Sequence, residues 1–140
     1  VVEADGAAGR PLKAPGPGEP LVPASATRVV AVAGLAALGR ALKDEVVFRR
    51  DRFEAVTGAS HGALLTASTL CRVFAHPEGL FRGAPENARR NAFLNQLDLA
   101  ADPAEARDLA RQILESREAR VRSVVLGSLR RGRYVTQTRT

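Results

Sequence analysis

The chain has 140 residues, of which 45% are hydrophobic and 4% aromatic, and it carries 21 basic against 15 acidic side chains, a net charge of +6. This length sets an upper limit of one domain, and the single cysteine excludes both an internal disulfide framework and a metal site built from several cysteines. Seven arginines and one acid follow residue 116, so the first 116 residues are neutral. Positive charge concentrated at one end indicates an anionic partner.

Residues 1–27 are rich in proline, glycine and alanine. The stretch Pro15–Pro20 cannot hold a helix, because proline removes backbone donors and glycine adds entropy to the unfolded chain. We therefore predict an extended N-terminal arm that another molecule holds in place. The chain contains no methionine, so we expect it to begin at a processed end or to be a fragment. A processed start favours an organelle as its location, a mitochondrion rather than a chloroplast.

Residues 28–129 are predicted to form an all-α body of about four helices. Leu35, Leu38, Leu42 and Val46 recur at spacings of three and four, which indicates a first helix over residues 28–49. The longest apolar run, residues 29–42, is shorter than the roughly 20 residues that cross a bilayer, so no transmembrane segment is expected. The sequence leaves open whether the protein contacts a membrane surface.

Three further helices complete the prediction. Ser60 is expected to cap a second helix that His76 ends, and Pro85 to begin a third that ends near Leu97 or Leu99. The fourth predicted helix begins after Asp102, a capping residue that precedes Pro103. The apolar stripe of this last helix would continue onto Arg117 and Arg120, which would then lie at an interface. Residues 130–140 form a basic tail, and residues 134–140 are β-prone, able to join a partner's sheet or simply to extend.

A G-x-S-x-G motif, residues 58–62, is the one pattern typical of an enzyme. Residues 53–57 could form a short strand before it and residues 63–75 a helix after it, which is the arrangement of a nucleophile elbow. A turn of this kind exposes a serine and lets the helix N-terminus stabilise an oxyanion. Ser60 would be the nucleophile in this interpretation.

The string over residues 53–68 resembles the elbow of patatin-like serine hydrolases. The resemblance implies a Ser–Asp dyad, with Ser60 attacking the substrate and an aspartate of a downstream Asp-Gly pair assisting. The chain departs from that pattern, because its Asp-Gly pair, Asp5–Gly6, lies upstream and no glycine-rich oxyanion loop precedes Arg28. We therefore expect Ser60 to act as a helix cap and the protein not to be an enzyme.

Other motifs for chemistry are sparse. His61, His76 and Cys71 lack the spacing of zinc ligands, and no phosphate-binding loop or dinucleotide fingerprint is present. Neither a metal nor a cofactor is expected.

The leading hypothesis is a non-catalytic structural or accessory subunit of a large, organellar assembly, built among other protein subunits. Its anionic partner would be RNA phosphate, as in a ribosomal protein, an acidic protein surface or lipid headgroups. A patatin-like hydrolase and a DNA-binding regulator are the alternatives. The arginines predicted to contact the partner are Arg117, Arg120, Arg122, Arg130, Arg131, Arg133 and Arg139.

Overall fold

A computed structural model describes residues 1–140 and shows an α/β fold with three helices and six strands in two sheets. The predicted all-α body is therefore wrong. None of the helices is long and apolar enough to cross a membrane. In chain order the elements are β1 (Leu12–Lys13), β2 (Arg28–Gly34), a 3-10 helix (Leu35–Ala37), β3 (Val47–Phe48), α1 (Arg50–Thr57), α2 (Ala67–Ala75), β4 (Arg89–Asn95), a second 3-10 helix (Leu97–Leu99), α3 (Pro103–Glu115), β5 (Val121–Ser128) and β6 (Arg133–Thr138).

The main sheet has four strands in the order β2-β4-β5-β6. The first three are parallel, and β6 pairs antiparallel with β5. Parallel neighbours need long crossover connections, which α1 and α2 supply between β2 and β4 and α3 supplies between β4 and β5. The carboxyl ends of three strands therefore meet at one edge of the sheet.

The first predicted helix is a strand because its β-branched residues dominate. Val29, Val30 and Val32 lie within β2, where branched side chains fit a pleated surface better than a helix. The leucines that suggested helical spacing follow the strand, in a 3-10 helix and a loop. Leu35, Leu38 and Leu42 are nevertheless buried, so their assignment to the core is correct.

Two of the other predicted helices also needed correction. Helix α2 begins at Ala67 rather than after Ser60, and its cap is Thr66, whose side chain accepts a hydrogen bond from the Thr69 N–H. The predicted third helix is strand β4. The fourth helix is confirmed, since the Asp102 carboxylate accepts from the Ala104 N–H at 2.8 Å. It ends at Glu115, so the predicted continuation of its stripe onto Arg117 and Arg120 is wrong.

Helices cover one face of the main sheet and leave the other open. Ala31 and Ala33 of β2 are buried on the covered face, whereas Val30 and Val32 are 51% and 52% exposed on the other. The register aligns Val32 with Phe93 and Phe93 with Val125, so these side chains share the open face. One core of 28 buried residues lies on the covered side.

The N-terminal segment is held by its own chain. Strand β1 pairs in parallel with β3, and Leu12 and Ala14 are buried. Arg52 donates to the Pro15 carbonyl at 2.6 Å, and Arg82 donates to the Gly16 carbonyl at 2.8 Å. The order of this segment therefore requires no other molecule, which removes the main ground for an arm anchored in an assembly.

Candidate functional site

The carboxyl edge of the parallel strands is the place where open α/β sheets bind ligands. Strand β4 ends there at Asn95, and β5 ends at Ser128. Because β4 and β5 are neighbours, the loops that follow them lie side by side. We refer to Asn95, Asp98, Ser128 and Arg131 as the edge site.

A side-chain bridge ties the two loops of the edge site together. The Asn95 Oδ1 accepts a hydrogen bond at 3.0 Å from the Leu129 N–H, which is the first amide after β5. The Ser128 hydroxyl, in turn, accepts at 3.2 Å from the Arg131 N–H and closes the turn into β6. Polar side chains therefore set the geometry of these two loops.

Asp98 is the charged group at the centre of the edge site. Its pKa is lowered, first by a hydrogen bond from the Ser128 side chain and then by its own backbone amide and by Arg131, which together outweigh desolvation. Its side chain is 15% exposed, and the nearest cation, Arg131, is 69% exposed with its Nε 3.4 Å from the carboxylate. Asp98 is thus an ionised acceptor that is paired with a largely exposed arginine.

Apolar side chains stand beside this carboxylate. Leu99 follows Asp98 directly and is 57% exposed, and Leu129 follows Ser128 and is 59% exposed. Ligand sites combine apolar side chains with a few polar groups, and these two loops carry both kinds of residue. The edge site can therefore offer both a hydrogen-bonding edge and hydrophobic walls.

The β2 end of the same edge is closed. The Gly34 N–H donates to the Pro11 carbonyl at 2.7 Å, and a Cβ at Gly34 would lie 2.9 Å from the Pro11 Cα. The side chain of Gln96, a residue with a φ of 64°, also lies against Gly34. A ligand at this edge is therefore directed toward β4 and β5.

The G-x-S-x-G motif does not form a nucleophile elbow. The predicted strand over residues 53–57 lies in helix α1, and Ser60 lies in the loop before α2, seven positions ahead of its first residue. Ser60 is exposed, and its backbone carbonyl accepts from the Ala63 N–H in a turn. The prediction that Ser60 caps a helix is therefore wrong, and so is the elbow.

The predicted anion-binding arginines separate into two groups. Arg130, Arg131 and Arg133 lie at the carboxyl edge, in or next to the turn between β5 and β6. The other four lie at the amino edge, around the start of β5 and just after β6. The second group is Arg117, Arg120, Arg122 and Arg139.

Sequence reasoning missed Asn95, Asp98 and Ser128 entirely. The signal was present in the order of residue types, because Asn95 and Asp98 follow an apolar strand and Ser128 ends another. This signal was overlooked because a helix had been predicted from Pro85 to near Leu97 or Leu99, and a helical bundle has no counterpart to the carboxyl edge of a parallel sheet.

A different cluster of arginines is structural. A surface hollow of about 550 Å³ lies at β3 and the start of α1 and is lined in part by Arg10, Arg49 and Arg50. Arg49 pairs with Glu19 at 2.6 Å, and Arg50 pairs with three carboxylates. The charges of Arg49 and Arg50 are thus neutralised within the chain, whereas Arg10 donates to the backbone carbonyls of Asp44 and Ala8. The potential metal ligands His61, His76 and Cys71 form no cluster with other ligating side chains.

Residues 1–51 match the model of a family described as YqeC protein. A protein of Escherichia coli (strain K12), named "Uncharacterized protein YqeC", is 41% identical over 96 residues, which cover 69% of this chain and 38% of that relative. No solved structure matches the chain. The chain spans well under half of the relative's length, and the bacterial source of the relative overturns the predicted organellar location. The sequence is therefore similar to bacterial YqeC proteins.

Proposed function

We propose that the edge site binds the base of a guanine nucleotide. The observation that supports this is the Asp98 carboxylate, which lies 3.4 Å from the Arg131 Nε, in two loops that the Asn95–Leu129 hydrogen bond joins and that carry exposed Leu99 and Leu129. An ionised carboxylate only accepts hydrogen bonds, so its best partner presents two adjacent N–H donors. Guanine presents such a pair in its N1–H and 2-amino groups.

The neighbouring residues favour a flat heterocycle over other bidentate donors. A peptide arginine also offers two N–H groups, but a site for it needs no hydrophobic walls. Leu99 and Leu129 are more than half exposed, and covering them with the two faces of a ring would remove apolar surface from water. Adenine fits less well, because its N1 lone pair would face the carboxylate beside its amino group.

Each residue of the edge site then has a specific role. Asn95 fixes the β5 loop through the Leu129 amide, and Ser128 orients the carboxylate. Arg131 swings away from Asp98 when the base arrives. Arg130 and Arg133 are exposed at the same turn and supply positive charge for the phosphate groups. In this proposal, these arginines bind an anion, as the sequence predicted for them. The proposal assigns binding and no reaction.

Base selectivity tests the proposal directly. Calorimetric titrations with GDP, ADP and XDP are expected to show tighter binding of GDP to the unmodified protein. In Asp98→Asn, the new amide would donate to the 2-carbonyl of xanthine and lose its second bond to guanine. We expect the affinity for GDP to fall about 10- to 100-fold, the loss typical of one hydrogen bond to a charged group, and XDP to become the preferred ligand.

Asp108→Asn is the matched control, because Asp108 is a partly exposed aspartate of α3 that pairs with Arg111. This variant should bind GDP as the unmodified protein does. Equal affinities for GDP and ADP, or an unchanged GDP affinity in Asp98→Asn, would contradict the proposal.

The prediction of a non-catalytic protein with an anionic partner is compatible with this function and stays a prediction. The amino-edge arginines bear on it separately, because they lie at the opposite end of the sheet.

A further inference from the structure

Arginines line the amino edge of the main sheet. Arg28 begins β2 and Arg89 begins β4, and the register places them side by side. The Arg139 N–H donates to the Arg122 carbonyl at 3.0 Å, which brings the end of β6 to the same edge. We refer to the full set as the arginine row: Arg28, Arg89, Arg90, Arg120, Arg122 and Arg139.

The arginine row has almost no neutralising charge. The ion pairs of the protein involve other basic residues: Lys13, Arg49, Arg50, Arg82, Arg111 and Arg131. Five members of the row are exposed, and Arg90 is half-buried over the ring of Phe81. Burial lowers the pKa of Arg90, and the charge of Arg120 lowers it further, so these two cations lie close together. Glu86 and Glu118 are the acids nearest in the chain to the row.

Polar and aromatic side chains follow the arginine row across the open face. The next register level carries Asn91, Ser123 and Thr138, and the Asn91 Oδ1 is buried without a hydrogen-bond partner. Beyond them, the rings of Phe93 and Tyr134 lie 6.2 Å apart, and Tyr134 is 52% exposed. The open face therefore presents the cations of Arg28 and Arg89, then hydrogen-bonding groups, then aromatic rings, whereas Arg90 lies on the covered face over Phe81.

We propose that this open face binds single-stranded nucleic acid, with phosphates along the arginine row and bases against Phe93 and Tyr134. Adjacent strands are about 4.8 Å apart, so four strands give a row roughly 15 Å long, which spans two or three phosphates of an extended strand. Aromatic side chains on an open sheet face stack unpaired bases without regard to sequence. The polar side chains of Asn91, Ser123 and Thr138, between the arginine row and the aromatic rings, face the sugars and base edges.

An amphipathic helix is the competing occupant of an open sheet face, since parallel sheets are commonly covered on both sides. Such a helix would cover Val30 and Val32 well. It would bring only the carboxylates of one or two turns to the row, however, against the five exposed guanidinium groups. The repeating charge of a phosphate backbone matches the row better.

Fluorescence anisotropy with a labelled 12-nucleotide uridine strand tests the proposal. This probe contains no guanine, so its result is independent of the edge site. At 50 mM salt we expect binding, and a salt dependence with a log–log slope of about 1.4 to 2.1, from roughly 0.7 for each of two or three phosphate contacts. Arg89→Gln/Arg122→Gln should lower the slope by about 1.4 and weaken binding at least tenfold.

Two further variants distinguish contacts made by the arginine row from base stacking and from the general positive charge of the protein. Tyr134→Ala should weaken binding about fivefold or more while leaving the salt slope unchanged, because stacking releases no counterions. Arg107→Gln/Arg111→Gln removes two exposed arginines of α3, on the covered side, and should change neither quantity.

Three results would overturn the proposal. They are no binding of the uridine strand at 50 mM salt, equal losses in the two double-arginine variants, and tighter binding of a glutamate-bearing amphipathic helical peptide than of the uridine strand. Retention of binding by Tyr134→Ala at full strength would remove the aromatic part. Circular dichroism of each variant checks that the fold is intact.

Discussion

Gly127 of β5 is a position where a single methyl group should open the β5–β6 hairpin. A Cβ built there would lie 2.6 Å from the Tyr134 Cδ1 and 3.0 Å from the Tyr134 Cα, and closer still to the carbonyl oxygen of Arg133. Two of these three atoms belong to the backbone of β6, so a rotamer change cannot relieve the contact. Gly127→Ala must therefore push β6 away from β5.

Overpacking of this kind costs about 1–3 kcal/mol, and the backbone contacts place Gly127→Ala near the middle of that range, at about 2 kcal/mol. For a chain of this size, that loss corresponds to a fall in melting temperature of roughly 6 °C. Urea unfolding followed by circular dichroism would give the change in free energy. Hydrogen exchange should accelerate at the amides that pair Leu126 with Val135 and Ser128 with Arg133.

Gly6→Ala is the matched control, because the only atom near its added Cβ is the Glu3 Oε1 at 3.8 Å. Its free energy of unfolding should stay within about 0.5 kcal/mol of the unmodified protein, as for ordinary surface substitutions. If Gly127→Ala were as stable as Gly6→Ala, the close approach of β6 to β5 and the reasoning from it would be refuted.

Other consequences can be measured one at a time. Asp102→Ala should cost about 1 kcal/mol in unfolding free energy, because the Ala104 N–H loses its cap, and an unchanged urea midpoint would contradict this. The pKa of Asp98 lies below its usual 3.8 in the folded state, so its stabilising effect is present above the unfolded pKa and is lost as the pH falls through the folded one. Ser128→Ala should raise the pKa of Asp98 in an NMR titration, and a value that does not move would rule out the serine as the main cause. Burial, and then the charge of Glu118, raises the pKa of the Cys71 thiol, so iodoacetamide at pH 8 should alkylate it more slowly than free cysteine does. Equal rates would argue against its burial.

Local signals predicted some elements correctly. The Asp102 cap before Pro103 identified α3, and the β-prone tail is strand β6, although it pairs with β5 rather than with a partner's sheet. His76 marks the end of α2, as expected. In each case, residues close in the chain determine the structure.

The parallel strands were not predicted because their evidence is divided between distant residues. Strand β4 buries only Ala92 and Leu94, with Phe93 partly exposed between them. A seven-residue segment with only two buried positions is as easily taken for one side of a helix as for a strand. Its pairing with β2 and β5, which no local pattern records, decides the question.

The edge site was missed for the same reason. Asp98 and Ser128 are 30 positions apart, and they meet only because β4 and β5 are adjacent. Each taken alone is an ordinary polar residue at the end of an apolar run. The basic C-terminal end was visible in the sequence, but its division between two edges of the sheet depends on β6 reversing direction.

The registers of the main sheet also bear on how quickly the chain can fold. Strand β2 pairs with residues 61 positions away, as in Arg28 with Arg89, whereas the β5–β6 hairpin closes between Ser128 and Arg133. Closing a long loop costs chain entropy before any contact forms, so topologies rich in distant pairs fold slowly. The hairpin can therefore form early. The edge site forms only after β4 docks beside β5, and β2 pairs with β4 across the longest chain separation of any strand pair.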